Sequence, residues 1–303
     1  MLPPVGLTWG EYVERWVADC GGWLPLADQL IHRARGAVEI ADDPQTVERG
    51  LRRLSRREHQ SGGQYGRWML RFFGFTSSIE RLVRWLGTGH SRFSDLPCGL
   101  RLEHLSLWNR PPVAESPLVC WVLVGIASAH FSRLDHDVCE HWLARAERHV
   151  AGAGPNAQLE VGLLRAQLAL ERGDRTSADT CHDALELLLR DAVLGPVDRE
   201  CFQARLQHQR SMMYTHPSHG AAAPDISLVR ACYEAIPESA IPFVSFRRSV
   251  GLAYCAWKSG DRETAIELAR RAADDAGDGG LIRMRVMALN MLSRVVAPRT
   301  QRP

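Results

Sequence analysis

Lysine is almost absent from this chain. Of 37 basic residues only Lys258 is one, so nearly all of its positive charge is carried by arginine. A coding bias toward arginine accounts for that ratio without any selection for phosphate binding. The formal net charge is only +2, which rules out a global field, so any surface for a polyanion has to be local. The eight cysteines contain no C-x-x-C pair, and Cys139, Cys181, Cys232 and Cys255 fall within apolar helical patterns. That usage argues against a disulfide framework and for small buried side chains in a reducing compartment. No apolar run is long enough to span a bilayer, and the longest, Leu118 to Ala129, fits a buried helix. MLPPVGLTWGEYVERW lacks both the basic and the apolar regions of a secretory signal. The expectation is a cytoplasmic protein that does not engage a membrane.

Enzyme signatures are missing as well. There is no G-x-S-x-G, no H-E-x-x-H, no G-x-x-x-x-G-K-[ST] and no strand–glycine–helix fingerprint. The GTGH at Gly87 follows a helical pattern and reads as a helix stop. The chain is therefore expected to be non-enzymatic, with no catalytic residue, no metal and no cofactor.

What the chain does have is helical period, nearly everywhere. Thr8 and Glu11 form a capping box ahead of Trp9, Tyr12, Val13, Trp16 and Val17. A second helix runs from about Trp23 to Ala34, with Leu26, Ala27, Leu30 and Ala34 inward. Asp43 is placed to cap a third helix with Pro44 as its first residue and Val47, Leu51 and Leu54 as its apolar stripe. A fourth amphipathic segment, Ile79 to Leu86, follows Thr76-Ser77-Ser78. Trp9, Trp16, Trp23, Trp68, Trp85 and Trp108 all precede Pro111-Pro112 and read as the core of a compact N-terminal domain. The prolines place a boundary there, giving a helical domain over 1–110 and a second domain over 111–303.

Beyond the prolines the pattern repeats. Ala253 to Ala276, AYCAWKSGDRETAIELARRAADDA, reads as helix, tight turn at Gly260-Asp261, and helix, with small residues at Ala253, Gly260, Ala265, Ala269 and Ala272. Ala127 to Arg148 overlays it without a gap, Leu134-Asp135 matching the turn, Cys139 matching Ala265 and Ala146 matching Ala272. Ala166 to Leu185 repeats the turn at Gly173-Asp174 and the small residue at Ala178, then departs at Leu185. Glu200 to Tyr214 and Ile226 to Ile236 form a degenerate unit split by HPSHGAAAPD, and Leu281 to Val296 is a lone final helix expected to cap the stack. Over about 115–296 the chain resembles tetratricopeptide repeats. The resemblance implies an all-α fold, a helical domain followed by a short α-solenoid, with a groove that binds a peptide or protein partner. From the repeat register, His130, Gln167 and Arg247 are expected to line that groove.

The third N-terminal helix carries the other candidate surface. Arg49, Arg52, Arg53 and Arg56 recur at i, i+3, i+4 and i+7 opposite the apolar stripe, with Arg67 and Arg71 as flanking phosphate contacts. An apolar anchor behind and arginines in front is what a helix needs in a DNA major groove. Residues 23–73 resemble a helix-turn-helix unit, and HQSGGQYGRWML is similar to the hairpin wing of winged variants. Against a wing, Tyr65, Trp68, Met69 and Phe72 have helical spacing, and the loop from Arg35 to Asp42 exceeds the usual turn. Double-stranded DNA, an acidic protein surface and a merely solvated face all stay open for the arginine row. A regulator of the first kind is expected to form a homodimer. Two histidine-rich stretches read as a packed cysteine beside exposed histidines, and as the border of an insertion that is either a surface excursion or a lid or contact loop on the groove. In Asp135–His141, with His130 nearby, Cys139 takes the small packing position, and His208, His216, His219 and Tyr214 border the insertion.

Overall fold

The computed structural model describes residues 6–215 and 224–297, and within them the protein is all-α, with no strand. The chain divides into two compact units. One is 1–88 with 97–153, the other 89–96 with 154–303. The Pro111-Pro112 pair lies inside the first unit. No helix among the described residues is long and apolar enough to cross a membrane.

In the first unit, α1 (Trp9–Cys20), α2 (Trp23–Ala34), α3 (Pro44–Ser55) and α4 (Gly63–Phe72) pack around Trp9, Tyr12, Leu26, Leu30, Leu51, Leu54 and Met69, all essentially without solvent exposure. The predicted caps form. Thr8 accepts from the Glu11 amide while the Glu11 carboxylate takes the Thr8 amide. Asp43 accepts from the Gln45 and Thr46 amides ahead of Pro44. The loop after α3 is pinned to the stretch that follows the prolines, because His59 Nδ1 lies 3.0 Å from the Pro111 carbonyl and the Gly62 amide donates to the Glu115 carboxylate at 3.2 Å. α5 (Ser77–Gly87) stops where GTGH begins, and α6 (Cys98–Trp108) follows. Both pack on α7 (Val119–Ser132), whose residues Val119 to Ala127 are all buried. α8 (His136–Glu147) closes a hairpin with α7.

The second unit is a row of helices: α9 (Pro155–Glu171), α10 (Arg175–Asp191), α11 (Pro196–Thr215), α12 (Ile226–Glu234), α13 (Pro242–Lys258), α14 (Arg262–Asp278) and α15 (Ile282–Val296). Each packs on the next, and α9, α11, α13 and α15 also touch in sequence along one side. That neighbour-to-neighbour arrangement is compatible with helical repeats. Ala253 and Ala256 on α13 meet Ala265 and Ala269 on α14, all buried, so the two backbones approach closely.

The repeated turns share one geometry. Leu134, Gly173 and Gly260 sit at φ 64°, 78° and 87°, and the following aspartate amide returns to the carbonyl five residues back, His130, Ala169 or Ala256, at 2.9–3.1 Å. This is a left-handed helix terminus. Asp174 and Asp261 then cap the next helix by accepting from the Ser177 and Thr264 amides. The departure at Leu185 is a size exchange. The leucine on α10 lies over Gly162 on α9, where an added methyl carbon would stand 2.6 Å from it. α15 is the last helix described, but Ile282, Val286, Met287 and Leu289 remain exposed on it, unlike the polar outer face of a capping helix.

Candidate functional site

The arginine face forms as a helical surface, and its members differ in freedom. Val47, Leu51 and Leu54 hold α3 to the core while Arg49, Arg52, Arg53 and Arg56 are exposed. Arg52 is tied down: Nε donates to Glu48 Oε1 at 2.7 Å, and its guanidinium lies 4.5 Å from the Trp23 ring centroid. Arg49 is held back along its own helix by the Gln45 carbonyl and the Thr46 hydroxyl. The side chains of Arg53, Arg56 and Arg67 make no hydrogen bond or ion pair among the described residues. Arg71 lies 5.3 Å from the Phe72 ring. The segment read as a candidate wing is helix α4, and the ring of Tyr65 on it lies so close to Gly50 of α3 that an added methyl carbon would stand 2.1 Å from it. The similarity to a wing hairpin is therefore corrected: the apolar period at 65, 68, 69 and 72 prevails over the Gly62-Gly63 pair.

The second unit holds a polar cluster on the side where α9, α11 and α13 meet. Glu160 on α9 is only 3% exposed, and Arg205 on α11 grips it with both terminal nitrogens, at 2.5 and 2.7 Å. Burial alone would raise the Glu160 carboxyl. The charge and hydrogen bonds of Arg205, together with the Gly89 amide, more than offset that and hold it below the ordinary carboxylate range. The third ligand of this carboxylate is a backbone amide from elsewhere in the chain, Gly89 N–H at 3.1 Å. An alanine at 89 would set its methyl 3.0 Å from both Arg205 and Glu160, so the ion pair would have to give way by a few tenths of an ångström.

His90 follows, stacked on Phe243 of α13 at 4.7 Å between centroids and edge-on to Phe202 of α11 at 6.4 Å. Burial pushes this imidazole down to about 4, with Arg205 and Arg247 adding to the effect, so it is neutral at pH 7. His208 on α11 is also held neutral, mainly by burial, with its Nδ1 2.8 Å from the Tyr233 hydroxyl. Arg247 leans against Phe243 and Phe246. Burial, reinforced by Arg205 and Arg283, lowers it to about 10, and its Nε has no hydrogen-bond partner among the described residues. It stays cationic at neutral pH.

The chain from Gly89 to Leu96 continues past these groups toward the end of the helix row. Arg92 Nε donates to the Gly279 carbonyl at 3.3 Å, and Phe93 is buried. Asp95 accepts the Ile282 and Arg283 amides at 3.1 and 3.4 Å. Those amides open α15, whose own N-cap position is Leu281 and has no side-chain acceptor.

No protein-family model matches this chain, and neither does any solved structure.

The groove residues expected from sequence are only partly brought together. Arg247 stands in the cluster, and Gln167 lies two turns beyond Glu160 on α9. His130 belongs to the first unit, on α7, 3.4 Å from Asp135. Glu160, Arg205, His208 and the 89–96 segment were not legible as a site. One signal was available, a lone carboxylate amid Leu159, Val161, Leu163 and Leu164, which needs a buried partner. Cys139 is buried as its packing position requires, but His136 is stacked on Phe131 rather than exposed. His216 and His219 lie outside the described residues.

Proposed function

We propose that this is a non-enzymatic regulatory protein. In this reading its second unit is a tetratricopeptide-like array that binds an extended peptide or protein segment, and its first unit presents α3 to double-stranded DNA. The observation that carries the first part is the seating of eight extended or turned residues, 89–96, against side chains and helix ends of α9, α11, α13, α14 and α15. A surface that satisfies a foreign backbone amide, a flat ring, a guanidinium and a carboxylate in succession has the chemistry for reading a linear peptide. Display of linear peptides on the full chain tests this. Selected sequences should carry a ring, a cation and an acid, and should bind at least about tenfold more weakly to Arg247→Ala, the loss of one charge-assisted contact. A chain that enriches no peptide would sink the reading.

The DNA part is favoured by the freedom of Arg53, Arg56 and Arg67 beside an α3 anchored from behind. Anisotropy of a random duplex should show binding that weakens steeply with salt, by about 0.9 log units per log unit of salt for each phosphate contacted. Arg53→Glu/Arg56→Glu should abolish it while changing stability by less than about 0.5 kcal/mol, since neither side chain has a packing role. Absence of binding at low salt would turn the arginine row into a docking face for an acidic protein and the chain into an adaptor.

A further inference from the structure

We infer that Gly89–Leu96 occupies the groove of the second unit as an internal competitor. The external ligand would be an extended peptide of the same chemistry: a flat ring, a cation two residues on, an aromatic, and an acid two residues beyond that. The inference rests on the peptide-binding reading above and says what kind of peptide is bound and what holds it off.

The contacts of the segment are those of a docked peptide. Its backbone is extended at Ser91 and Leu96, with a single turn between them over Arg92–Asp95. Each anchor uses a group that the helices leave open. Glu160 Oε1 keeps a lone pair beyond the Arg205 fork, and the Gly89 amide fills it. Phe243 offers a ring face, and His90 covers it. The Gly279 carbonyl at the end of α14 takes Arg92, and the uncapped amides of α15 take Asp95. The α14–α15 joint has the same left-handed geometry as the repeat turns, with Gly280 at φ 63° and the Leu281 amide returning to the Ala276 carbonyl. At this joint, however, leucine stands where Asp174 and Asp261 cap their own helices. The missing carboxylate is supplied by the segment, and a partner's aspartate or glutamate would supply it equally.

The two ends of the segment differ in how firmly they are held. The Gly89 end meets a buried ion pair. At the other end the hydrogen bonds of Arg92, at 3.3 Å, and of Asp95, at 3.1 and 3.4 Å, are exposed, so water or another carboxylate competes for the same groups. Displacement therefore starts at Asp95 and Arg92. Because the segment is tethered, it competes at an effective concentration in the millimolar range. An external peptide making the same contacts consequently binds the intact chain at least about tenfold more weakly than it binds a chain whose own segment has lost its anchors.

The test uses a fluorescent peptide copying residues 89–96 and the full-length chain. Binding is measured by anisotropy to the wild type, to Arg92→Ala/Asp95→Ala, and to His90→Ala/Arg92→Ala/Asp95→Ala. Circular dichroism checks that each is folded, and the double variant changes only rim groups in case the triple one is not. The expected result is a gain of at least about tenfold in affinity for the variants over the wild type. The same peptide with its aspartate replaced by asparagine should bind the variants more weakly. Equal affinity for wild type and variants would overturn the competitor, since the groove would then be open. No binding to a folded variant would also overturn it, leaving the segment a fixed strap. Peptides still selected by display would then show that only this inference had failed, whereas failure of both would remove the peptide-binding reading itself.

Discussion

His90 and His208 are kept neutral inside the second unit, and this links its stability to pH. An unfolded histidine titrates near 6.5, whereas His90 in the folded protein is lowered to about 4, mainly by burial. As pH falls below 6.5 the unfolded chain takes up a proton that the native His90 refuses, so stability drops until pH reaches about 4 and then levels off. His208 and His182, also lowered chiefly by burial, act in the same direction. The Glu160 carboxyl is lowered too, so its contribution is intact above the ordinary carboxylate range and is lost only further into acid. Between pH 6.5 and the carboxylate range the imidazoles dominate. His90→Phe keeps a ring between Phe202 and Phe243 and removes one titration. It should flatten the acid slope by up to about 1.4 kcal/mol per pH unit. Amide exchange of α11 and α13, corrected for intrinsic rates, gives the opening free energies that check this. An unchanged slope would mean that His90 is solvated and titrates normally.

At the scale of the element, the repeat turn invites a paired comparison. Gly260 at φ 87° has open space where a methyl carbon would go, so Gly260→Ala meets only the left-handed backbone cost, about 1 kcal/mol. Leu134 stands at the equivalent position with φ 64° and a side chain 75% exposed, so it pays that cost with little packing in return. Leu134→Gly should relieve it, less the entropy of a freer unfolded glycine, for a net gain of about 0.5 kcal/mol. Thermal midpoints of the two variants should move in opposite directions, and shifts of one sign would refute the shared geometry. These turns were legible because their signals are local: a residue at positive φ, a capping aspartate, and small residues spaced for a helix crossing. The caps of α1 and α3 were legible for the same reason. Leu185 was not, because the alanine it replaces is compensated by Gly162 on a different helix, and a repeat alignment compares like positions rather than opposed ones. The same applies to His130. Its place before the turn is that of Ala169 and Ala256, and α7 is covered by α5 and α6, helices that no register within 115–296 could supply.

For the molecule as a whole, the least legible feature is the one that builds the candidate site. GHSRFSDL reads locally as a loop, and its partners lie 71 residues away at Glu160 and 187 away at Gly279. Nothing in its own pattern names them. A boundary drawn at the prolines cuts the contacts of α7, so dissection decides between the two divisions of the chain. Trp121, Val122, Leu123, Val124 and Ile126 are each at most 4% exposed, and burial of each stabilises by roughly 1.5–3 kcal/mol. Their sum rivals the net stability of an entire domain. A fragment spanning 111–303 leaves that surface without α5 and α6 and lacks 89–96, so it should aggregate or melt without a cooperative transition. A fragment spanning 154–303 keeps α9 to α15 with the neighbours they pack on and should melt cooperatively, with a thermal midpoint that rises when the 89–96 peptide is added, because the peptide restores a partner to Glu160 and a carboxylate to the start of α15. If 111–303 proved monodisperse and melted cooperatively while 154–303 did not fold, α7 and α8 would belong with the repeats, and the boundary would return to Pro111-Pro112.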